Sequence, residues 1–206
     1  MFALVESGSI TKMLSGNRGI TIDDIQHPKA LFTLWTEAER NAIGIYTVEM
    51  DKSKLKNDEW YNNTDVTYTF GSGKVTGSYG DATAKAHADT LFTEQDKTDD
   101  LIPEGKDVGD VATRGLKYNL IQQVKSQAES ELNKTDWYIT RKAEKDTAIP
   151  SSITTHRDAV RAKQAEMETA ITNASDTPAL ETLYTYTRQE DGTSTRPLGE
   201  LPTLED

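Results

Sequence analysis

The chain has no cysteine, which excludes disulfides, thiolate metal sites and cysteine nucleophiles together. That absence fits a protein made in a reducing cytoplasm. Long apolar runs are missing as well, since no stretch approaches the roughly 20 residues a membrane-crossing helix needs. The opening Met1-Phe-Ala-Leu-Val-Glu6 lacks the basic flank and cleavage pattern of a signal peptide. Positive charge is in short supply: 23 Lys and Arg stand against 34 Asp and Glu, a formal net charge of −11. Such a field repels a phosphate backbone, so neither nucleic acid nor membrane is expected as a partner. Only 35% of the 206 residues are hydrophobic and the mean hydropathy is −0.66. This describes an elongated protein with modest cores, or one that completes its core against a partner.

The arrangements that usually carry chemistry are also missing. The carboxylate pairs Asp23-Asp24, Asp99-Asp100 and Glu166/Glu168 all lie among polar neighbours, whereas a glycosidase pair needs one carboxyl raised by an apolar pocket. His27 precedes a proline, His87 falls in an alanine-rich stretch and His156 follows Ile153 by three residues. None has a partner at metal-ligand spacing, so all three are read as exposed or rim histidines. The glycine-rich pieces Ser15–Gly19 and Gly71–Gly73 lack the strand, helix and Lys-Ser/Thr context of a phosphate loop. No catalytic residue, metal or cofactor is expected.

What is present is structural patterning. Phe2–Glu6 and Ile10–Leu14 read as an opening hairpin, and Ile20–Asp23 as a further strand. Thr36-Glu-Ala-Glu39 has the capping-box spacing, with Gly44 placed to end the short helix it opens. Ile45–Val48 returns as a strand. Val66, Tyr68 and Phe70 alternate ahead of Gly71-Ser-Gly73, and Lys74–Tyr79 answers them as a second hairpin. Ala82–Leu91 reads as helix, and the acidic Asp96–Asp110, with Pro103, Gly105 and Gly109, as a linker.

Beyond it, Leu116, Leu120, Val124, Ala128 and Leu132 recur every four residues, one narrow amphipathic stripe. Ser151 or Ser152 can cap a helix through about Asn173, in which Ile153, Val160 and Met167 repeat every seven. Between these helices, Trp137, Tyr138 and Ile139 read as a buried aromatic plug at a corner. The preferred arrangement is an intramolecular αα-hairpin around Trp137; the alternative seats the stripes on another chain, in a homo-oligomer or on a shaft. Thr177-Pro178 supplies an N-cap and first residue for a short last helix.

The expected fold class is α+β: a β-rich N-terminal module over residues 1–80 with hairpins and one short helix, then a helical spacer and acidic linker over 81–111. A helical C-terminal module follows over 112–186, an αα-hairpin plus short helix, and an extended or disordered tail over 187–206. Trp35, Tyr46, Trp137, Tyr138 and Ile153 are the residues expected to pack into and pre-form a docking surface.

Three segments carry a family resemblance. Leu34-Trp-Thr-Glu-Ala-Glu-Arg-Asn-Ala-Ile-Gly-Ile-Tyr-Thr-Val48 and the hairpin Tyr68–Tyr79 resemble segments of small tail-fibre-associated proteins of marine tailed bacteriophages. Thr135-Asp-Trp-Tyr-Ile-Thr-Arg-Lys142, with Ala148-Ile-Pro-Ser-Ser-Ile153 and Arg157-Asp-Ala-Val-Arg161, is similar to the C-terminal pattern of tail fibre assembly-type proteins. Asp96–Asp110 and the segment after Tyr186 fall outside that pattern. The resemblance implies a non-enzymatic protein made in the host cytoplasm and located at the virion tail. Its partner would be a tail fibre or distal tail protein, which it serves as a structural component or an assembly chaperone. A host-receptor adhesin using exposed aromatics such as Trp60, Tyr61 and Tyr79 is the first alternative, and a cell-wall hydrolase the second.

Overall fold

The computed structural model describes residues 1–204. The fold is α+β and divides into two compact units, Met1–Thr83 and a second beginning at Ala84.

In the first unit, β1 (Phe2–Glu6) and β2 (Ser9–Leu14) form the opening hairpin about Ser7-Gly8. β3 (Ile20–Ile22) acquires a partner the sequence reading did not anticipate, β4 (Ile25–His27). The turn between them is Asp23-Asp24, both left-handed at φ 48° and 63°, so this carboxylate pair shapes a tight hairpin turn. Two short helices follow, α1 (Leu31–Leu34) and α2 (Glu37–Ala42). Gly44 then turns at φ +80°, and its backbone lies so close to β1 that a Cβ would sit 2.6 Å from the Val5 carbonyl oxygen. No other residue type meets both demands without strain. β5 (Ile45–Asp51), β6 (Tyr61–Asn62), β7 (Thr67–Gly71), β8 (Lys74–Ser78) and β9 (Thr83–Ala84) complete the elements of this half.

The main sheet has the order β2-β1-β5-β8-β7; β5 and β8 run parallel and the other pairs antiparallel. Its edge strands β2 and β7 approach each other without pairing, so the sheet curls towards a barrel. Alternation along β1 then serves two cores. Ala3 and Val5 join Val48 and Val75 on one face, with Ile10, Tyr46, Tyr68 and Phe70 around them. Leu4 and Ile45 face the other way, onto Leu14, Ile20, Ile22, Leu31 and Phe32.

The capping box forms as its spacing requires. The Thr36 hydroxyl accepts from the Glu39 amide at 3.3 Å and the Thr36 amide donates to Glu39 Oε2 at 2.7 Å. Thr36→Ala is expected to lower thermal stability by about 1 kcal/mol. The Thr36 amide and then its hydroxyl hold the Glu39 carboxyl below the ordinary range. This group's contribution is therefore complete above the ordinary glutamate range and is lost as the pH falls through the lower folded value. Acid titration of Glu39→Gln against the parent will show it, because the variant keeps a flatter profile there.

The second unit contains β10 (Thr90–Leu91), α3 (Glu94–Thr98), β11 (Val111–Thr113), α4 (Leu116–Asn133), α5 (Asp136–Lys145), α6 (Ser151–Asn173), α7 (Thr177–Tyr184), β12 (Thr187–Arg188) and β13 (Ser194–Thr195). α4 packs along α6, giving the expected αα-hairpin with α5 inserted at the bend. Leu120, Val124 and Ala128 from α4 are buried, as are Ile153, Val160, Met167 and Ile171 from α6 and Leu180 from α7.

Three expectations are corrected here. Ala82–Leu91 is extended and contains no helix. Its alanines, Ala82, Ala84, Ala86 and Ala88, recur every second residue, a strand period, and its carbonyls are taken by other elements. The Leu116 and Lys117 amides donate to the carbonyls of Ala86 and His87, both at 3.0 Å. Residues 96–110 do not form a structureless linker: Thr93 and Asp96 cap α3, and the Phe92 amide donates to the Asp110 carbonyl while the Gly109 amide donates back to that of Phe92, both at 2.9 Å. The excursion is thus closed at its base by the β10–β11 pair. At α7 the N-cap is Asp176, whose carboxylate accepts from Ala179; Thr177 is buried, and its hydroxyl donates to the Lys85 carbonyl at 2.6 Å. The tail takes the extended form of its two expected states: β12 and β13 pair as a hairpin, and the chain returns to bury Leu198, whose amide donates to the Leu183 carbonyl. Glu205 and Asp206, also assigned to that tail, lie outside the described residues.

Candidate interaction surface

The corner between α4 and α6 is built around an arginine. Arg157 lies on α6 between Ile153 and Val160, at the i+4 position of the buried stripe, and is only 8% exposed. Its Nη1 donates to the Leu132 carbonyl (2.8 Å), the Thr135 hydroxyl (2.7 Å) and Asp136 Oδ1 (2.8 Å). Thr135 has no exposed surface at all. The Leu132 carbonyl at the end of α4 already accepts from the Lys134 and Thr135 amides and the Thr135 hydroxyl, so Arg157 adds a donor from a different helix.

With the bend held this way, the aromatic knot is not a plug. Trp137 is 51% exposed and Ile139 42%, contrary to the expected burial. They lie on α5, which carries its own helix through the supposed corner and turns these side chains outward. Tyr138 is partly buried, with its ring centroid 3.8 Å from that of Trp137. The Arg141 guanidinium lies 4.6 Å from the Trp137 centroid and 5.2 Å from that of Tyr138. The three form a stack whose exposed member is Trp137, with the half-buried Arg141 cation held beside both rings.

The remaining docking candidates are core residues. Ile153 is buried between the helices. Trp35 packs against the Leu4/Leu31 cluster, edge-on to His27 at 5.8 Å, and Tyr46 packs against Phe70 at 4.8 Å. Of the aromatics an adhesin would expose, Trp60 is buried at 2%, while Tyr61 and Tyr79 are partly covered. His156 is buried too, correcting the rim reading; it falls three residues after Ile153 and four before Val160. The same spacing argument would have placed both His156 and Arg157 on the inner face from sequence. It was the expectation that charged groups stay out of cores that hid them.

The shifted carboxyls all titrate low. Asp89 is held down by the Gly115 amide and then Arg114, Asp96 by the Thr93 hydroxyl and amide, and Asp107 by the Val108 amide and then Lys97. Asp51 and Asp191 follow the same pattern with Ser53 and Thr193. A general acid needs the reverse shift; these are turn and cap carboxylates. Among the described residues, no group of three or more His, Asp and Glu is placed to hold a metal, and no helix is long and apolar enough to cross a membrane. Searches against protein-family models, curated proteins and solved structures returned no match.

Proposed function

We propose that the chain is a non-enzymatic bacteriophage tail protein that docks on a tail fibre or distal tail subunit, as a structural component or an assembly chaperone. One observation carries the reading. The Trp137–Arg141 face of α5, within the segment that resembles tail fibre assembly-type proteins, is turned outward and is not needed to close the bend. A large aromatic beside an arginine, half-exposed on a short helix clamped at its start by Arg157, is the kind of anchor that dominates protein–protein interfaces. Its ordering cost is met before binding, because the stack with Tyr138 and Arg141 already fixes the rotamer.

Co-expression with a tail fibre protein of the same phage tests this directly. The parent is expected to co-purify with the fibre. The double variant Trp137→Ala/Ile139→Ser is expected to weaken capture at least tenfold, while its thermal unfolding stays within about 1 kcal/mol of the parent, since both side chains are solvent-exposed. Undiminished capture by the variant would sink the proposal. Mass spectrometry of purified particles then separates a resident tail component from a chaperone that leaves.

A further inference from the structure

The first unit holds a cavity of about 430 Å³ between the end of β2, the Ser15–Gly19 loop, the start of β3 and Phe32 of α1. Its wall is charged with one sign only. Lys12 and Arg18 line it, and no acidic side chain does, in a chain whose formal net charge is −11. Neither cation has an ion-pair partner among the described residues. The loop adds backbone donors: among the described residues the amides of Gly16, Asn17 and Arg18 donate to no protein acceptor, and Gly16 and Arg18 line the cavity. Successive free amides beside cationic side chains make a concavity suited to an anion.

The loop is also pre-formed. Gly16 turns at φ +74° with its Cα against the rings of Phe2 and Phe32, where a Cβ would lie 3.0 Å and 3.4 Å from ring carbons. Gly19 lies so close to β4 that a Cβ would be 2.5 Å from the His27 carbonyl oxygen. The Ser15 hydroxyl donates to Asn17 Oδ1 at 2.7 Å, bracing the loop from within. Met13, Leu14, Ile20 and Phe32 supply the apolar part of the wall.

We infer that this cavity binds a small oxyanion-bearing ligand, whose negative oxygens meet Lys12, Arg18 and the Gly16–Arg18 amides while its carbon skeleton rests on the apolar wall. The volume lies within the range of small-molecule sites and suits one or two sugar rings or a comparable acid. A carboxylated sugar and a free tetrahedral anion share this chemistry, and the apolar wall distinguishes them, because only the former has a skeleton to place there.

Titration of the whole protein with sodium sulfate and, separately, sodium glucuronate, followed by amide NMR, tests the site. The Gly16, Asn17, Arg18 and Gly19 resonances are expected to shift saturably, and glucuronate is expected to bind more tightly than sulfate. Lys12→Gln with Arg18→Gln should weaken both at least tenfold, and both should weaken as sodium chloride is raised. Since Lys12 and Arg18 are exposed, the double variant should fold normally, which its unperturbed β1–β5 resonances will verify. Saturation by sulfate alone would assign the site to tetrahedral anions. The inference falls if neither probe shifts the loop, or if the double variant binds both as well as the parent. Fibre capture by this variant should match the parent, so the outcome is independent of the α5 interface.

Discussion

Arg157→Leu is expected to destabilise the second unit by about 3 kcal/mol. The argument runs through what is left behind. Leucine covers part of the arginine stem but donates nothing, so the fully buried Thr135 hydroxyl loses its Arg157 donor and the Leu132 carbonyl loses one of its own. The lost ion pair is the smaller part, because the Asp136 side chain is 52% exposed and its attraction is screened. Asp136→Asn should therefore cost much less than Arg157→Leu. Hydrogen–deuterium exchange will localise the effect: amides of α4 and α6 around Val124 and Val160 exchange faster, while β1 and β5 keep their protection. A loss below 1 kcal/mol would mean that apolar packing alone holds the bend.

The second large effect belongs to Gly115→Ala. At this position a Cβ would stand 2.3 Å from both the carbonyl carbon and the oxygen of Ala88, and backbone atoms cannot yield as a side-chain tip can. The extended segment over residues 84–91 must then lift from the start of α4. Lifting it breaks the Gly115 amide bond to Asp89 Oδ1 (2.8 Å) and the Arg114–Asp89 pair (2.6 Å). It also strips the Leu116 and Lys117 amides of their acceptors. The combined cost is about 2–4 kcal/mol, read as a lower melting temperature together with loss of protection at Leu116 and Lys117. The contact has an acid limit in the parent as well. Because Asp89 is held low, its contribution is complete above the ordinary aspartate range and fades as the pH falls through the lower folded value.

These two positions also mark where the sequence could and could not be read. Local chemistry was legible: the Thr36–Glu39 box, the left-handed Gly44 and the two hairpins of the main sheet depend on residues a few places apart, and each formed. The α4 and α6 stripes were legible because burial follows their periodicity. Ala82–Leu91 was misread because alanine's helix propensity was weighed above the alternation of its alanines, and because the amides that claim its carbonyls lie some thirty residues downstream. At the candidate interface the identity of the segment was visible but its polarity was inverted. Aromatics were assumed to fill the bend and charges to avoid it, whereas Arg157 donates to three oxygens there and Trp137 is set free. The cation-lined cavity lies along the Lys12–Thr21 stretch, closed by Phe32; its Ser15–Gly19 loop is visible in the sequence but reads there as a plain turn, because it lacks the context of a phosphate loop.

The closed excursion between β10 and β11 offers a handle for experiment. Its ends are fastened to each other, while Glu104, Gly105 and Lys106 near its tip are exposed, so a foreign residue there perturbs little of what lies beneath. With no native thiol anywhere in the chain, Glu104→Cys would create a unique attachment point for a dye or crosslinker and leave the left-handed Gly105 (φ +83°) in place. Placed there, a photoreactive probe would report which polypeptide docks beside the protein, without touching α5 or the cationic cavity.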